Sequence, residues 1–317
     1  MGFNNIAGLA PGANFGIRDK SYGLFQLIYA IVFREINVAG EYMDLFEGLE
    51  AFGIECVDKS ELYEKEKKIV LKSEIATSSV VDVNKIILQK KFSCPVCRVN
   101  FSNWDVYLHR IRLEKTDSEL RKHFSPYDPL YYAAIICTSC GYGAMRNNFD
   151  QISPKQVKLV KENITPKFKA KEYPQIYTVD MAIERYKLVL YNAVIKEGTA
   201  SEKAVICHRL SWLFRDKGDA ENEKIFRENA LKGFVHAYST ERLPIAGMGA
   251  QTFEYLIGEL YRRLGNLEEA VRYISMAIMR QRGASPKIKE LALDAKELII
   301  QERNAREQQG ENDAKTE

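Results

Sequence analysis

Cysteine is scarce in this chain: six in 317 residues, too few for a disulfide-dense secreted scaffold. Tryptophan occurs twice, histidine four times and proline nine times, so neither a proline-rich nor a histidine-rich tract defines the chain. Net charge is nearly absent too. Lys and Arg number 46 against 43 Asp and Glu, which leaves +3 and announces no basic nucleic-acid-coating or membrane-coating surface. The most apolar stretch, Tyr22 to Phe33, is 12 residues and contains Gln26. A membrane-spanning helix needs about 20, so no span is expected. The first residues show neither a basic leader nor an apolar core, and Met1-Gly2 lacks the Ser or Thr at the sixth position that myristoylation favours. Cytoplasmic residence is the expectation. No P-loop, G-x-S-x-G, H-E-x-x-H or G-x-G-x-x-G motif appears either. The histidines His109, His123, His208 and His236 are scattered, and no carboxylate pair stands apart. The expectation is a protein that is not an enzyme.

What is present is an ordinary folded composition, with 46% apolar and 11% aromatic residues. Four of the six cysteines fall in two tight pairs, Cys94-Pro95-Val96-Cys97 and Cys137-Thr138-Ser139-Cys140, with 39 residues between them. Each pair follows a strand-like run, Ile86 to Ser93 and Leu130 to Ile136. Two hairpins that each donate two thiolates make a four-sulfur zinc ribbon. In a reducing compartment such pairs read as metal ligands ahead of disulfides. Four thiolates fill the coordination sphere and leave no place for a catalytic water, so the expected Zn2+ is structural. A redox dithiol or an iron–sulfur cluster are the alternatives; two C-x-x-C pairs at this spacing favour zinc. The turn after each pair favours residues tolerant of positive φ, which Gly141 and Gly143 supply after the second.

The spacer reads as a helix over about 104–124, with Val106, Leu108, Ile111 and Leu120 as its apolar side and a turn at Pro126 and Pro129 after it. Its basic side would carry Arg110, Arg112, Lys115, Arg121 and Lys122, candidate nucleic-acid contacts diluted by Asp105, Glu114, Asp117 and Glu119.

Residues 151–173 turn basic and proline-punctuated, as in a linker with one short helix. Beyond them the text is helical to about 303. An offset of 47 aligns two copies: Gly218 with Gly265, Leu210 with Ile257, Leu213 with Leu260, Asp219 with Asn266, Phe226 with Tyr273 and Ala230 with Ala277. Each copy reads helix, Gly-Asp/Asn turn, helix, which is the tetratricopeptide pattern. Such units stack, because one alone cannot bury its faces. A helix over 179–195 packs in front and one from Ile288 to about Ile300 closes the end. Cys207 reads as a small buried hydrophobe; it and His208 are adjacent and point apart on a helix.

Around the cysteines the text resembles a bacterial family, domain-of-unknown-function family 2225. The matching elements are Cys94 to Cys97, Phe101, Arg110 to Arg112, Asp117-Ser118, Tyr127-Asp128-Pro129, Tyr132, Cys137 to Tyr142, Ala144 and Phe149-Asp150. Leu210 to Asp219 and Tyr255 to Asn266 are similar as well, and Thr138 stands where the family pattern has proline. The resemblance covers about 90 to 300 and implies a zinc ribbon joined to tetratricopeptide helices; it implies no reaction or substrate.

The expected architecture is therefore α+β, mostly α: an accessory region of unknown fold (1–88), a four-cysteine zinc ribbon with a helical insertion (89–150), a basic linker (151–173), a tetratricopeptide-like helical array (174–303) and a disordered tail (304–317). The expected function is a zinc-binding scaffold or adaptor that takes another protein or peptide in its helical groove. The alternative is nucleic-acid binding through the basic 110–122 helix and the 155–171 lysines.

Overall fold

The computed structural model describes residues 48–53 and 83–313. The apolar run at 22–33, Cys56 and most of the accessory region lie outside the described residues. Three separate antiparallel hairpins come first. β1 (Ile87–Ser93) pairs with β2 (Asn100–Val106), so that Phe92 faces Phe101 beside the first cysteine turn. β3 (Arg112–Thr116) pairs with β4 (Lys122–Ser125), and β5 (Ala134–Ile136) with β6 (Gly143–Met145). The two cysteine pairs form the turns of the first and third hairpins.

The middle hairpin corrects the helix expected over 104–124. Val106, Leu108, Ile111 and Leu120 have helical spacing, but a helix is interrupted by Leu120, whose φ is 63°. The Asp117 carboxylate accepts the Arg121 N–H at 3.0 Å. The Asp117 N–H donates to the Arg121 carbonyl at 2.9 Å, and the Leu120 N–H to the Asp117 carbonyl at 3.0 Å. These bonds close a reverse turn, and the competition of Asp side chains for local backbone is the reason they disfavour helix interiors. The basic residues Arg110, Arg112, Lys115, Arg121 and Lys122 therefore do not line one helix face.

Seven α-helices follow among the described residues: α1 (Pro154–Asn163), α2 (Val179–Ile195), α3 (Ala200–Lys217), α4 (Ala220–Thr240), α5 (Ala250–Arg263), α6 (Leu267–Met279) and α7 (Pro286–Asp313). None is long and apolar enough to cross a membrane. Side-chain caps start most of them, because the first N–H groups of a helix have no internal partner. Ser153 and Gln156 form a reciprocal capping box on α1, and Thr178 and Thr199 cap α2 and α3. The two aligned copies share their turn chemistry. Gly218 (φ 77°) ends α3 and Asp219 caps α4 through the Asn222 N–H; Gly265 (φ 82°) follows α5 and Asn266 caps α6 through the Glu269 N–H. At the α5–α6 crossing a Cβ on Gly258 would lie 2.7 Å from Ile274 Cγ1, so only glycine admits this approach.

α7 corrects the C-terminal reading: the segment taken as a disordered tail from 304 is helical through Asp313. Arg306 donates to the Gly265 carbonyl at 2.9 Å and Arg262 pairs with Glu302, which ties this polar helix back to the α5–α6 turn.

The main core runs from the helices into the third hairpin. Ile183, Leu190, Leu210, Phe226, Phe234 and Phe253 share it with Leu130, Ala134, Ile136 and Met145, and Leu49 and Phe52 join from the described piece of the N-terminal region. Gly143, in β6, has no positive φ; its hydrogen faces Val189 of α2, where a Cβ would sit at 3.2 Å. A second core surrounds the cysteines and includes Val160 and Ile164, so the basic segment around α1 is packed against the metal-candidate region.

Candidate metal centre

The two cysteine turns repeat one backbone design at an offset of 43. In the first, the Cys94 N–H donates to the Val99 carbonyl at 3.0 Å and the Arg98 N–H to the Cys94 carbonyl at 2.9 Å. In the second, the Cys137 N–H donates to the Tyr142 carbonyl at 2.8 Å and the Gly141 N–H to the Cys137 carbonyl at 3.0 Å. The residue after each pair adopts positive φ, 65° at Arg98 and 74° at Gly141. Glycine takes this conformation without strain and arginine does not, so the first turn was the harder to read.

Folding of the two hairpins brings all four sulfurs within 4.8 Å of one another. Cys94 Sγ lies 3.6 Å from Cys140 Sγ, and Cys97 Sγ lies 3.6 Å from Cys137 Sγ. A tetrahedral ion with metal–sulfur bonds of about 2.3 Å puts its sulfurs about 3.8 Å apart, so the donor set fits such an ion. Cys94, Cys137 and Cys140 are buried and Cys97 is partly exposed. His109 and His123 are not in the group. Val96, Phe101, Tyr142 and Phe149 wall the site with apolar surface. Its frame is fixed from outside by two bonds: Thr165 Oγ1 donates to the Cys140 carbonyl at 3.1 Å and Asn192 Nδ2 to the Gly141 carbonyl at 3.1 Å. Tyr142 Oη donates to the Phe149 carbonyl at 3.0 Å, which holds the ring in the wall.

The sulfurs compete for protons. Hydrogen bonds from Cys140 and Cys94 hold the Cys137 thiol well below its ordinary value. The contact with Cys137, together with burial, pushes Cys94 up, and contacts with Cys137 and Cys94 raise Cys140. Four thiolates this close repel one another, so full ionisation requires a cation among them. An ion held by all four has no open position, which suits a structural role.

A family model described as an uncharacterized protein conserved in bacteria (DUF2225) matches residues 87–299. The chain belongs to that family. The match takes in both cysteine pairs, all three hairpins and the helices from α1 into α7. No curated protein and no solved structure matches the chain.

The DUF2225 region also contains a polar cluster that sequence reading missed. The tip of the β3–β4 hairpin, Asp117 to Arg121, docks on α3, α4 and α5. Glu119 is fully buried; Arg227 Nε donates to it at 3.1 Å, Trp212 Nε1 donates at 3.1 Å, and Arg215 pairs with it directly. Arg263 Nε lies 3.5 Å away. Arg121, read above as a phosphate contact, is buried and bonded to Asp216 at 2.7 and 2.5 Å and to the Trp212 carbonyl at 3.1 Å. Arg110, Arg112, Lys115 and Lys122 are exposed, with Arg112 paired to Glu114 at 2.9 Å. Three of the lysines of 155–171 also have acidic partners: Lys155 with Glu197 at 2.5 Å, Lys158 with Glu162 at 3.8 Å and Lys171 with Glu184 at 2.6 Å. The only sequence trace of the docking was Asp117-Ser118 in the family pattern, which carries no information about its distant partners.

Burial alone would raise the Glu119 carboxyl, but the positive charges of His208, Arg263, Arg215 and Arg227 outweigh it and hold it at about 2. His208 contributes only when protonated, and its own burial pushes its pKa down to about 4, with Glu119 opposing and Arg215, Arg227 and Arg209 reinforcing the shift. The arginines therefore do the holding at neutral pH. His208 packs on Trp212 and Phe234 with ring centroids 4.4 and 5.7 Å away, and its Nε2 has no hydrogen-bond partner among the described residues.

These two groups give a signed pH dependence. His208 is neutral in the fold and has an unfolded pKa of about 6.5, so the unfolded chain binds more protons between pH 6.5 and 4. Stability is complete above that window and falls by about 3 kcal/mol as pH drops through it. Glu119 adds a loss in the same direction from its unfolded pKa down to about 2. Thermal unfolding between pH 7.5 and 4 should show Tm falling with acid, and His208→Gln should flatten the decline above pH 4.5. Equal slopes in the two proteins would contradict a buried neutral His208.

Proposed function

We propose that the chain is a zinc-stabilised protein-interaction module: a zinc ribbon, built from the first and third hairpins, carrying a tetratricopeptide-like array that binds a segment of another protein. For the metal, the support is the donor chemistry. Four soft thiolates at tetrahedral spacing against an apolar wall match Zn2+ better than the hard cations that choose oxygen. Zn2+ there would be held by Cys94, Cys97, Cys137 and Cys140 and would fasten the two hairpins together.

For the array, one observation carries the reading: α3–α4 and α5–α6 repeat the same glycine turn and the same side-chain cap at an offset of 47. Stacked helical pairs of this kind present extended surfaces whose ordinary use is peptide recognition. No enzymatic role is assigned to any residue, and the chain is proposed to act by binding.

The test is affinity purification of the zinc-loaded full chain from a bacterial lysate after nuclease treatment, with mass spectrometry of the eluate. A stoichiometric protein partner is the expected result. Elution of the chain alone would overturn the assignment; in a parallel lysate without nuclease, retention of nucleic acid that falls steeply with salt would overturn it in favour of the nucleic-acid alternative.

A further inference from the structure

We propose that the surface of α3, α4 and α5 that holds the 117–121 tip is a receptor for a segment of a partner protein with the tip's own Asp-Ser-Glu-x-Arg sequence, and that the tip is its resident occupant. The inference rests on the interaction-module reading and specifies the partner's chemistry.

The contacts at the tip have the form of peptide recognition. Both the backbone and the side chains of the tip are read. Tyr255 Oη donates to the Ser118 carbonyl at 2.7 Å, and Arg263 Nη2 donates to Ser118 Oγ at 2.9 Å. Ser118 Oγ donates to Glu259 at 2.6 Å. The next side chain, Glu119, enters the pocket of Arg215, Arg227 and Trp212, where three helical residues meet one carboxylate. Asp117 lies 3.3 Å from Arg215 Nη1. Arg121 completes the set, buried and bonded to Asp216 at 2.7 and 2.5 Å. An Asp-Ser-Glu-x-Arg sequence is thus the pattern the surface reads, and all of its contacts come from five consecutive residues. A linear segment with the same residues would satisfy the same donors.

The occupant is held by its polar contacts far more than by apolar burial. β3 has almost no buried surface, and Leu113 is 48% exposed. Of the residues from 112 to 125, Leu120 alone packs against an apolar core. Undocking therefore uncovers little apolar surface and breaks mainly ionic bonds. Leu120 is held at φ 63°, a left-handed conformation that a leucine adopts only under constraint. A linear ligand has no such turn to maintain. Tethering gives the tip an effective concentration of about millimolar, so an external segment of equal intrinsic affinity binds the closed chain only weakly.

The experiment uses a fluorescent peptide of sequence E-K-T-D-S-E-L-R-K-H, that of residues 114–123, and fluorescence anisotropy with the zinc-loaded full chain. Two opened variants are compared with the parent. Glu119→Gln removes the carboxylate, and replacement of 117–121 by Asn-Gly shortens the hairpin without touching any helix. Both opened variants should bind the peptide at least ten-fold more tightly than the parent. The gain should vanish when Arg227→Ala and Arg263→Ala are added, and when the glutamate of the peptide corresponding to Glu119 is changed to glutamine. Equal binding by parent and opened chains, absence of binding by the shortened-turn variant with its helical circular dichroism intact, or indifference to that glutamine would each overturn the proposal. If a cellular partner is captured but the peptide does not displace it, this inference falls and the interaction-module reading stands. If the peptide binds as expected and no partner is captured, the module reading falls and takes the partner protein with it, leaving the surface as a latch for the chain's own tip.

Discussion

Serine in place of Cys94 or Cys140 is expected to abolish metal retention by the purified chain and to unfold the region from 87 to about 165, while α4 to α6 stay folded. The reason is the small amount of other structure there. β5 pairs with β6 over three residue pairs, and a two-stranded hairpin alone is marginal in water. The apolar cluster around the sulfurs is one in which the cysteines themselves are core members. Binding of a structural metal to such sites is worth about 10–16 kcal/mol, and that free energy is folding free energy. Loss of one thiolate also leaves the remaining sulfurs buried against an incomplete set. The helices have a core of their own through Phe226, Phe234, Ile257 and Leu260. The damage should enter them only at α2, which shares that core with Ile136 and Met145 of the third hairpin. Metal analysis and hydrogen exchange decide the matter: amides of 87–145 should exchange freely and those of 250–279 should remain protected. Cys207→Ser is the control, since Cys207 lies in the helical core and should leave metal content unchanged. Full metal content in either ligand variant refutes the ligand assignment.

The parts of this molecule that sequence revealed are those determined locally. A C-x-x-C pair needs only four residues to present two thiols, so the four-cysteine cluster was readable once two such pairs were seen. Helices α2 to α6 advertise themselves by apolar periodicity, and Gly218 and Gly265 mark their turns through positive φ, which few other residues supply. The hairpin at 112–125 is the opposite case. Its apolar spacing imitates a helix, and what selects the turn instead lies far away: Arg121 bonds Asp216, 95 residues on, and Ser118 bonds Glu259, 141 residues on. No local pattern encodes those partners. For the same reason Arg121 read as a solvent-facing phosphate contact: sequence gives the charge of an arginine but not the carboxylate that buries it. The length of α7 was missed because its last turns are polar, and the contacts of Glu302 and Arg306 that hold them depend on the α5–α6 turn. Positive φ at Arg98 was invisible because the preceding backbone bonds, not the side chain, impose it.

Glu119→Ala should weaken docking of the hairpin tip by about 3–5 kcal/mol, the usual consequence of removing one partner from a buried charge cluster. Three features place the loss there. Glu119 is fully buried, so its carboxylate meets only protein donors. Trp212 Nε1 loses its acceptor, and a buried donor without a partner is itself destabilising. Arg215, Arg227 and Arg263 are left facing one another, although Glu223 still pairs with the first two and Glu259 with the third. Those retained acids keep the array folded. The free energy should therefore appear as local opening: amide protection at 112–125 should fall about a hundred- to a few thousand-fold, with helices α5 and α6 little changed. Adding Arg227→Ala should restore part of the protection, because one of the stranded charges is removed, and the double-mutant cycle measures the coupling directly. Glu119→Gln should fall between the parent and Glu119→Ala, since an amide oxygen can still accept from Trp212 but cannot balance the arginines. Unchanged protection in Glu119→Ala would mean that Arg121 and Asp216 alone hold the tip, and that the carboxylate in the pocket is a passenger of the turn.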